Sequence, residues 1–177
     1  MLNRFGYYGV IIAWLFLLVS LSFAKSQGKV FYQKSGNQYI VFAVSNSGRV
    51  ILNEAYPKEP IIKDCNNGIK EIGISFGSPN YYCRFVDLIN QRASSRSFYN
   101  PVAIDLRQQY IAATDKKSIM IYRIFGNPKA LKMIERNYSS AGVFSAVIKA
   151  RFLSGRKLYL KYMEGKKFKE KEEIVRF

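Results

Sequence analysis

Histidine is absent from all 177 residues, which removes Ser-His-Asp and Cys-His catalysis, imidazole metal ligation and a histidine pH switch. Any catalysis would fall to carboxylates, Lys, Tyr or Ser. Acidic residues are scarce as well: 12 Asp and Glu face 28 Lys and Arg, a formal charge of +16. Such a balance points to polyanionic surroundings or an acidic partner. Cysteine occurs only twice, too few for a thiolate metal site, and no GxGxxG or P-loop pattern provides a phosphate cradle. Neither a metal nor an organic cofactor is expected. What is present is a globular composition, 49% hydrophobic and 23% charged, with a length that favours one domain.

The first 24 residues read as a secretory signal peptide. Arg4 and the amino terminus form the basic region, Val10 to Leu21 the apolar region, and Ser22-Phe23-Ala24 puts small residues at the cleavage positions before Lys25. An uncleaved anchor is the competing reading, because Phe5 to Ala24 carries no charge. The small-residue ending favours cleavage, leaving residues 25–177 as a single β-rich domain in the periplasm or outside the cell. Export gives the two cysteines a meaning: in an oxidising compartment Cys65 and Cys83 are expected to form a disulfide. The loop-entropy account assigns such a cross-link roughly 3 kcal/mol. A reactive thiol is the weaker alternative, since neither cysteine has a CxxC partner or a His to lower its pKa.

Beyond residue 25 the chain reads as short strands. Tyr39 to Val44 and Val50 to Leu52 flank Asn46-Ser47-Gly48 as a hairpin. A four-residue loop Gly77–Asn80 would place Phe76 opposite Tyr81, Ile74 opposite Cys83, Ile72 opposite Phe85 and Lys70 opposite Asp87. That register directs Cys83 inward, within reach of Cys65. Pro101 to Asp105, Tyr110 to Thr114 and Ser118 to Phe125 form three more β-rich runs. The segment Asn127 to Arg136 fits one short helix or, from Met133 to Tyr138, a strand.

The last third alternates strictly: Phe144, Ala146, Ile148, Ala150 and Phe152 on one side, with Lys149 and Arg151 on the other. A loop at Ser154-Gly155-Arg156 pairs Phe152 with Leu158, Ala150 with Leu160 and Ile148 with Tyr162. The opposite face then carries Lys149, Arg151, Lys157, Tyr159 and Lys161. The final strand, Phe168 to Val175, returns through a turn at Glu164-Gly165, with Glu170 set opposite Lys161 and Glu172 opposite Tyr159. Lys169 and Lys171 on its apolar side mark it as a protected edge.

The fold class is therefore all-β: an antiparallel meander of hairpins forming a sandwich or a partial propeller-like sheet assembly, with at most one short helix after the signal peptide. Pro101 to Phe125 and Phe144 to Val175 resemble β-propeller blades in their strand-turn-strand rhythm, although a closed propeller needs about four blades of 40 to 45 residues. The whole chain resembles small exported β-rich proteins of Gram-negative bacteria through its signal peptide, its Cys65 and Cys83 pair and this strand pattern. That resemblance implies a periplasmic location and no particular activity.

Few chemistries find residues. Two Ser-x-x-Lys matches, Ser26 to Lys29 and Ser154 to Lys157, fall near the expected new terminus and in a hairpin loop, where a lysine is not desolvated. Asp64, Asp87, Asp105 and Asp115 sit near strand ends, as turn-capping residues do, so a carboxylate hydrolase is the weakest expectation. Asn137-Tyr138-Ser139 is a glycosylation sequon only in a eukaryotic source. The stripe Lys149, Arg151, Lys157, Tyr159 and Lys161 is the candidate binding surface, basic residues interleaved with an aromatic. Against it stands the plainer reading of a solvated sheet face neutralised by Glu170 and Glu172. The leading expectation is a non-enzymatic, exported binding module, of the inhibitor or immunity kind, for an acidic protein. The alternative is a peripheral protein held to an anionic envelope component. Export argues against nucleic acid.

Overall fold

The computed structural model describes residues 28–139 and 142–177. The expected signal peptide lies outside them. Among the described residues no helix is long and apolar enough to cross a membrane.

The chain is all-β and folds as four antiparallel sheets in sequence order. The first contains β1 (Lys29–Ser35), β2 (Gln38–Val44) and β3 (Val50–Tyr56). The second contains β4 (Ile61–Asp64), β5 (Ile69–Ser75), β6 (Tyr81–Asp87) and β7 (Arg92–Ala93), with β8 (Phe98–Tyr99) also paired to β6. The third contains β9 (Pro101–Asp105), β10 (Tyr110–Thr114), β11 (Ser118–Arg123) and β12 (Lys132–Glu135). A single helical turn, α1 (Val143–Ala146), precedes the fourth sheet of β13 (Val147–Leu153), β14 (Lys157–Glu164) and β15 (Lys169–Arg176).

Three cores join neighbouring sheets, which is why the inner strands are apolar on both faces. Val41, Ala43 and Leu52 meet Ile72, Val86 and Leu88 between the first and second sheets. Cys83, Phe85 and Phe98 meet Ile111, Ala113, Tyr122 and Ile124 between the second and third. Ala112, Ile119 and Ile121 meet Leu158, Leu160 and Val175 between the third and fourth. Successive residues of β10 thus enter different cores, and all five are buried. A continuous apolar run is what a doubly covered strand requires. The assembly is a partial, blade-like succession in which each adjacent pair of sheets makes a local sandwich. The fourth sheet buries one face in this succession and carries the basic stripe on the other.

Several expected registers move. In the second sheet Ser75 pairs with Tyr81, Gly73 with Cys83 and Glu71 with Phe85, because the connection takes in Phe76 as well as Gly77–Asn80. That one-residue slip separates Ile72 and Ile74 from Cys83 and Phe85 and puts Ile72 in a different core from the two. In the fourth sheet Phe152 pairs with Leu158 and Ala150 with Leu160 as expected, but a bulge brings Val147 opposite Tyr162 and extrudes Ile148, which is 46% exposed. Phe144 and Ala146 lie in α1 rather than in a strand, with Ala146 buried and Phe144 only partly covered. The ambiguous segment resolves as strand β12, paired with β11.

Candidate functional site

The five residues of the stripe do share one face. Lys149 stands opposite Lys161 and Arg151 opposite Tyr159, with Lys157 facing Leu153 at the loop. The third strand arrives two residues out from the expected register: Glu172 is opposite Lys161, Ile174 opposite Tyr159 and Glu170 opposite Met163. The cause is the turn, which spans residues 165–168 and closes with Glu164 opposite Lys169.

The shifted register still brings both carboxylates to one ammonium. Lys161 Nζ lies 2.7 Å from Glu170 Oε2 and 3.2 Å from Glu172 Oε1. Hydrogen bonds to Glu170 and then Glu172 hold its pKa above the usual lysine value. Glu172 is held below the carboxylate range by Lys161 and by the Tyr159 hydroxyl. Partial desolvation and that same bond raise Tyr159. Arg151 places its guanidinium 5.4 Å from the Tyr159 ring centroid. The stripe is therefore divided: Lys161 and Tyr159 belong to a network with Glu170 and Glu172, whereas Lys149, Arg151 and Lys157 form no ion pair among the described residues.

The fate of the other carboxylates explains why the cations stay free. Glu54 takes Arg84 and the Tyr56 hydroxyl, and Glu71 takes Tyr81 with Lys63 at 3.6 Å. Asp64 holds Lys70 and the Asn66 N–H, and Asp87 holds Arg92 and Asn90. Asp105 accepts from Gln108, Asp115 from the Lys116 N–H, Glu164 pairs with Lys171 and Glu173 with Arg136. The four aspartates singled out near strand ends thus act as turn caps and pair partners. Glu59 accepts from the Tyr32 hydroxyl, and Glu135 makes no polar side-chain contact among the described residues.

The expected disulfide is not formed: Cys65 and Cys83 are both free. The register supplies the reason. Cys65 continues β4, donating its N–H to Ile69 at 2.9 Å, while Cys83 on β6 pairs with Gly73, so β5 runs between them. Two strand spacings amount to roughly 9.5 Å, beyond the roughly 7 Å between Cα atoms that a disulfide can close. Burial pushes the Cys83 thiol far up and raises Cys65 to a lesser degree. Beside them the Tyr81 ring lies over Gly73, where any Cβ would collide with it, and its hydroxyl donates to Glu71.

Ser154 is exposed in the β13–β14 loop beside Lys157, with no desolvated lysine at hand. Ser26 lies outside the described residues. No group of three or more His, Cys, Asp or Glu among the described residues could hold a metal.

Two features escaped the sequence reading. One is an apolar groove of about 460 Å³ lined by Tyr56, Ile74, Phe76, Asn80 and Tyr82 at the β5–β6 turn. The other is the far end of the fourth sheet, where Lys166, Lys167 and Lys169 surround an exposed Phe168. Its signal, Lys-Lys-Phe-Lys after Glu164-Gly165, was available in the sequence. No protein-family model matches the chain, and no curated protein matches it in sequence.

Proposed function

We propose that the protein is an exported, non-enzymatic binding module that attaches to an anionic component of the cell envelope through the fourth sheet. One observation carries this reading. Nearly all the carboxylates are engaged within the fold, so the cation excess is unpaired, and on the fourth sheet it includes Lys149, Arg151 and Lys157 on one face and Lys166, Lys167 and Lys169 at the β14–β15 turn. Unpaired surface cations contribute almost nothing to fold stability, yet they supply long-range attraction to a polyanion. Export rests on the sequence of residues 1–24.

Retention on an anionic matrix, with sodium chloride varied, tests the proposal. Replacing Lys149, Arg151 and Lys157 by Gln is expected to lower the salt needed for elution and to leave the unfolding midpoint unchanged. Steep loss of binding with salt is expected of a charge-driven contact. Binding that persists at high salt and survives the triple replacement would instead favour a packed interface with an acidic protein, of the inhibitor or immunity kind.

A further inference from the structure

The turn between β14 and β15 places Phe168 in the left-handed backbone region, with φ at 51°, and leaves the side chain 52% exposed. That region disfavours every residue with a Cβ, and a bulky aromatic is among the least suited to it. The Phe168 N–H donates to the Gly165 carbonyl at 3.2 Å and closes the turn, and the residue belongs to none of the three cores. Lys166, Lys167 and Lys169 flank it, all exposed and none in an ion pair among the described residues. The acids on either side are already occupied: Glu164 faces Lys171 and Glu170 faces Lys161.

The segment beside the turn is Asn137–Ser139: Gly165 donates its N–H to the Asn137 carbonyl at 2.7 Å, and Tyr138 bridges to Glu164. A large apolar side chain set among unpaired lysines has little use against a soluble polyanion, which would need the charges alone. A lipid surface uses both: aromatic rings settle at the headgroup boundary, lysine stems extend along it, and their ammonium groups meet lipid phosphates.

We infer that this end of the fourth sheet docks on a bilayer containing anionic lipid, with Phe168 entering the boundary between headgroups and acyl chains. The inference rests on the reading of the fourth sheet as an anion-binding surface and narrows its partner to lipid.

The only tryptophan, Trp14, lies in the expected signal peptide, so the mature chain from Lys25 has none. Mature protein carrying Phe168→Trp has one indole, at the turn. Mixed phosphatidylglycerol–phosphatidylcholine vesicles are expected to shift its emission to the blue and to permit quenching by brominated acyl chains. Phosphatidylcholine vesicles and soluble polyglutamate should do neither. Adding Lys166→Gln, Lys167→Gln and Lys169→Gln is expected to weaken the vesicle response at least tenfold. Binding to polyglutamate and to anionic vesicles without any emission shift would overturn the lipid inference and leave the electrostatic reading standing. Binding to neither would overturn both.

Discussion

Lys149 on β13 stands directly opposite Lys161 on β14, two like charges paired across antiparallel strands. Such a pair is mildly destabilising by itself. Here Glu170 and Glu172, arriving from β15, neutralise the Lys161 partner. The two lysines therefore do different work. Lys161→Gln is expected to release two carboxylates and lower the unfolding midpoint slightly, with little effect on anion binding. Lys149→Gln is expected to leave the midpoint unchanged or slightly raised while weakening retention on the anionic matrix. Thermal unfolding and salt elution of the two variants, run in parallel, check the division. Equal effects in both assays would show the stripe to act as one solvated face.

The thiols give a second prediction. Cys83 is 1% exposed and packed beside Phe85, whereas Cys65 is only partly covered. In the native protein a disulfide-exchange reagent is expected to modify Cys65 slowly and to reach Cys83 only when the chain unfolds. Reductant should change neither the mass nor the midpoint. Cys83→Ser buries a hydroxyl among apolar neighbours and should cost about 1 to 3 kcal/mol, while Cys65→Ser should stay within about 0.5 kcal/mol. A loss of two mass units on oxidation under native conditions would contradict the strand order around β5.

These differences trace to where local pattern does and does not determine pairing. The β13–β14 hairpin was legible from Phe152 to Leu160 because alternation and a short glycine-containing loop fix the register together. The same alternation misled at Phe144 to Ile148, since a helical turn and a bulge also expose every second residue for a few positions. Alternation alone puts Ile72 and Cys83 on one face, because nothing in the sequence near Phe76 shows whether it ends the strand or joins the loop. β1 and β4 gave no signal: Lys29–Ser35 is an exposed edge strand and Ile61–Asp64 spans only four residues. Without β4 the path of Cys65 could not be placed, and so the disulfide was expected. The charge excess of the fourth sheet was visible in sequence. Its division into spent and free cations depends on the β14–β15 register and was not.

Acid should weaken the fold through Asp87, whose side chain is 3% exposed. Burial works to raise its pKa. The Asn90 N–H at 2.9 Å, the Asn90 amide at 2.7 Å and the Arg92 guanidinium at 3.2 Å outweigh that and hold the carboxyl below its ordinary range. A carboxyl whose folded pKa lies below its unfolded value of about 3.9 contributes stability that is complete above that value. The contribution is lost as pH falls through the folded pKa. Denaturant unfolding should thus be flat near neutrality and weaken below about pH 4. Asp87→Asn should cost about 1 to 3 kcal/mol at pH 7, because one of the two acceptor oxygens becomes an NH2 group that cannot accept from Arg92 and the Asn90 amide, and should flatten the acid limb. An unchanged acid limb in that variant would assign the pH dependence to other carboxylates.

The last prediction separates the cost of Phe168 from its use. At φ 51° a residue with a Cβ gives up roughly 1 to 2 kcal/mol relative to one without. Glycine at that position regains this strain energy but loses more backbone freedom on folding, by about 0.5 to 1 kcal/mol. Because the ring is half-exposed and contributes little to any core, Phe168→Gly is expected to stabilise the protein by up to about 1 kcal/mol, a rise in midpoint of about 2 to 4 °C. The same substitution removes the ring proposed to enter lipid, so affinity for anionic vesicles should fall while retention on a soluble polyanion holds. Stability and binding would then move in opposite directions at one residue, as they do where a strained side chain is kept for contact with a partner. Destabilisation by 1 kcal/mol or more would mean that the ring packs against the fold, and its outward placement in the turn would have to be given up.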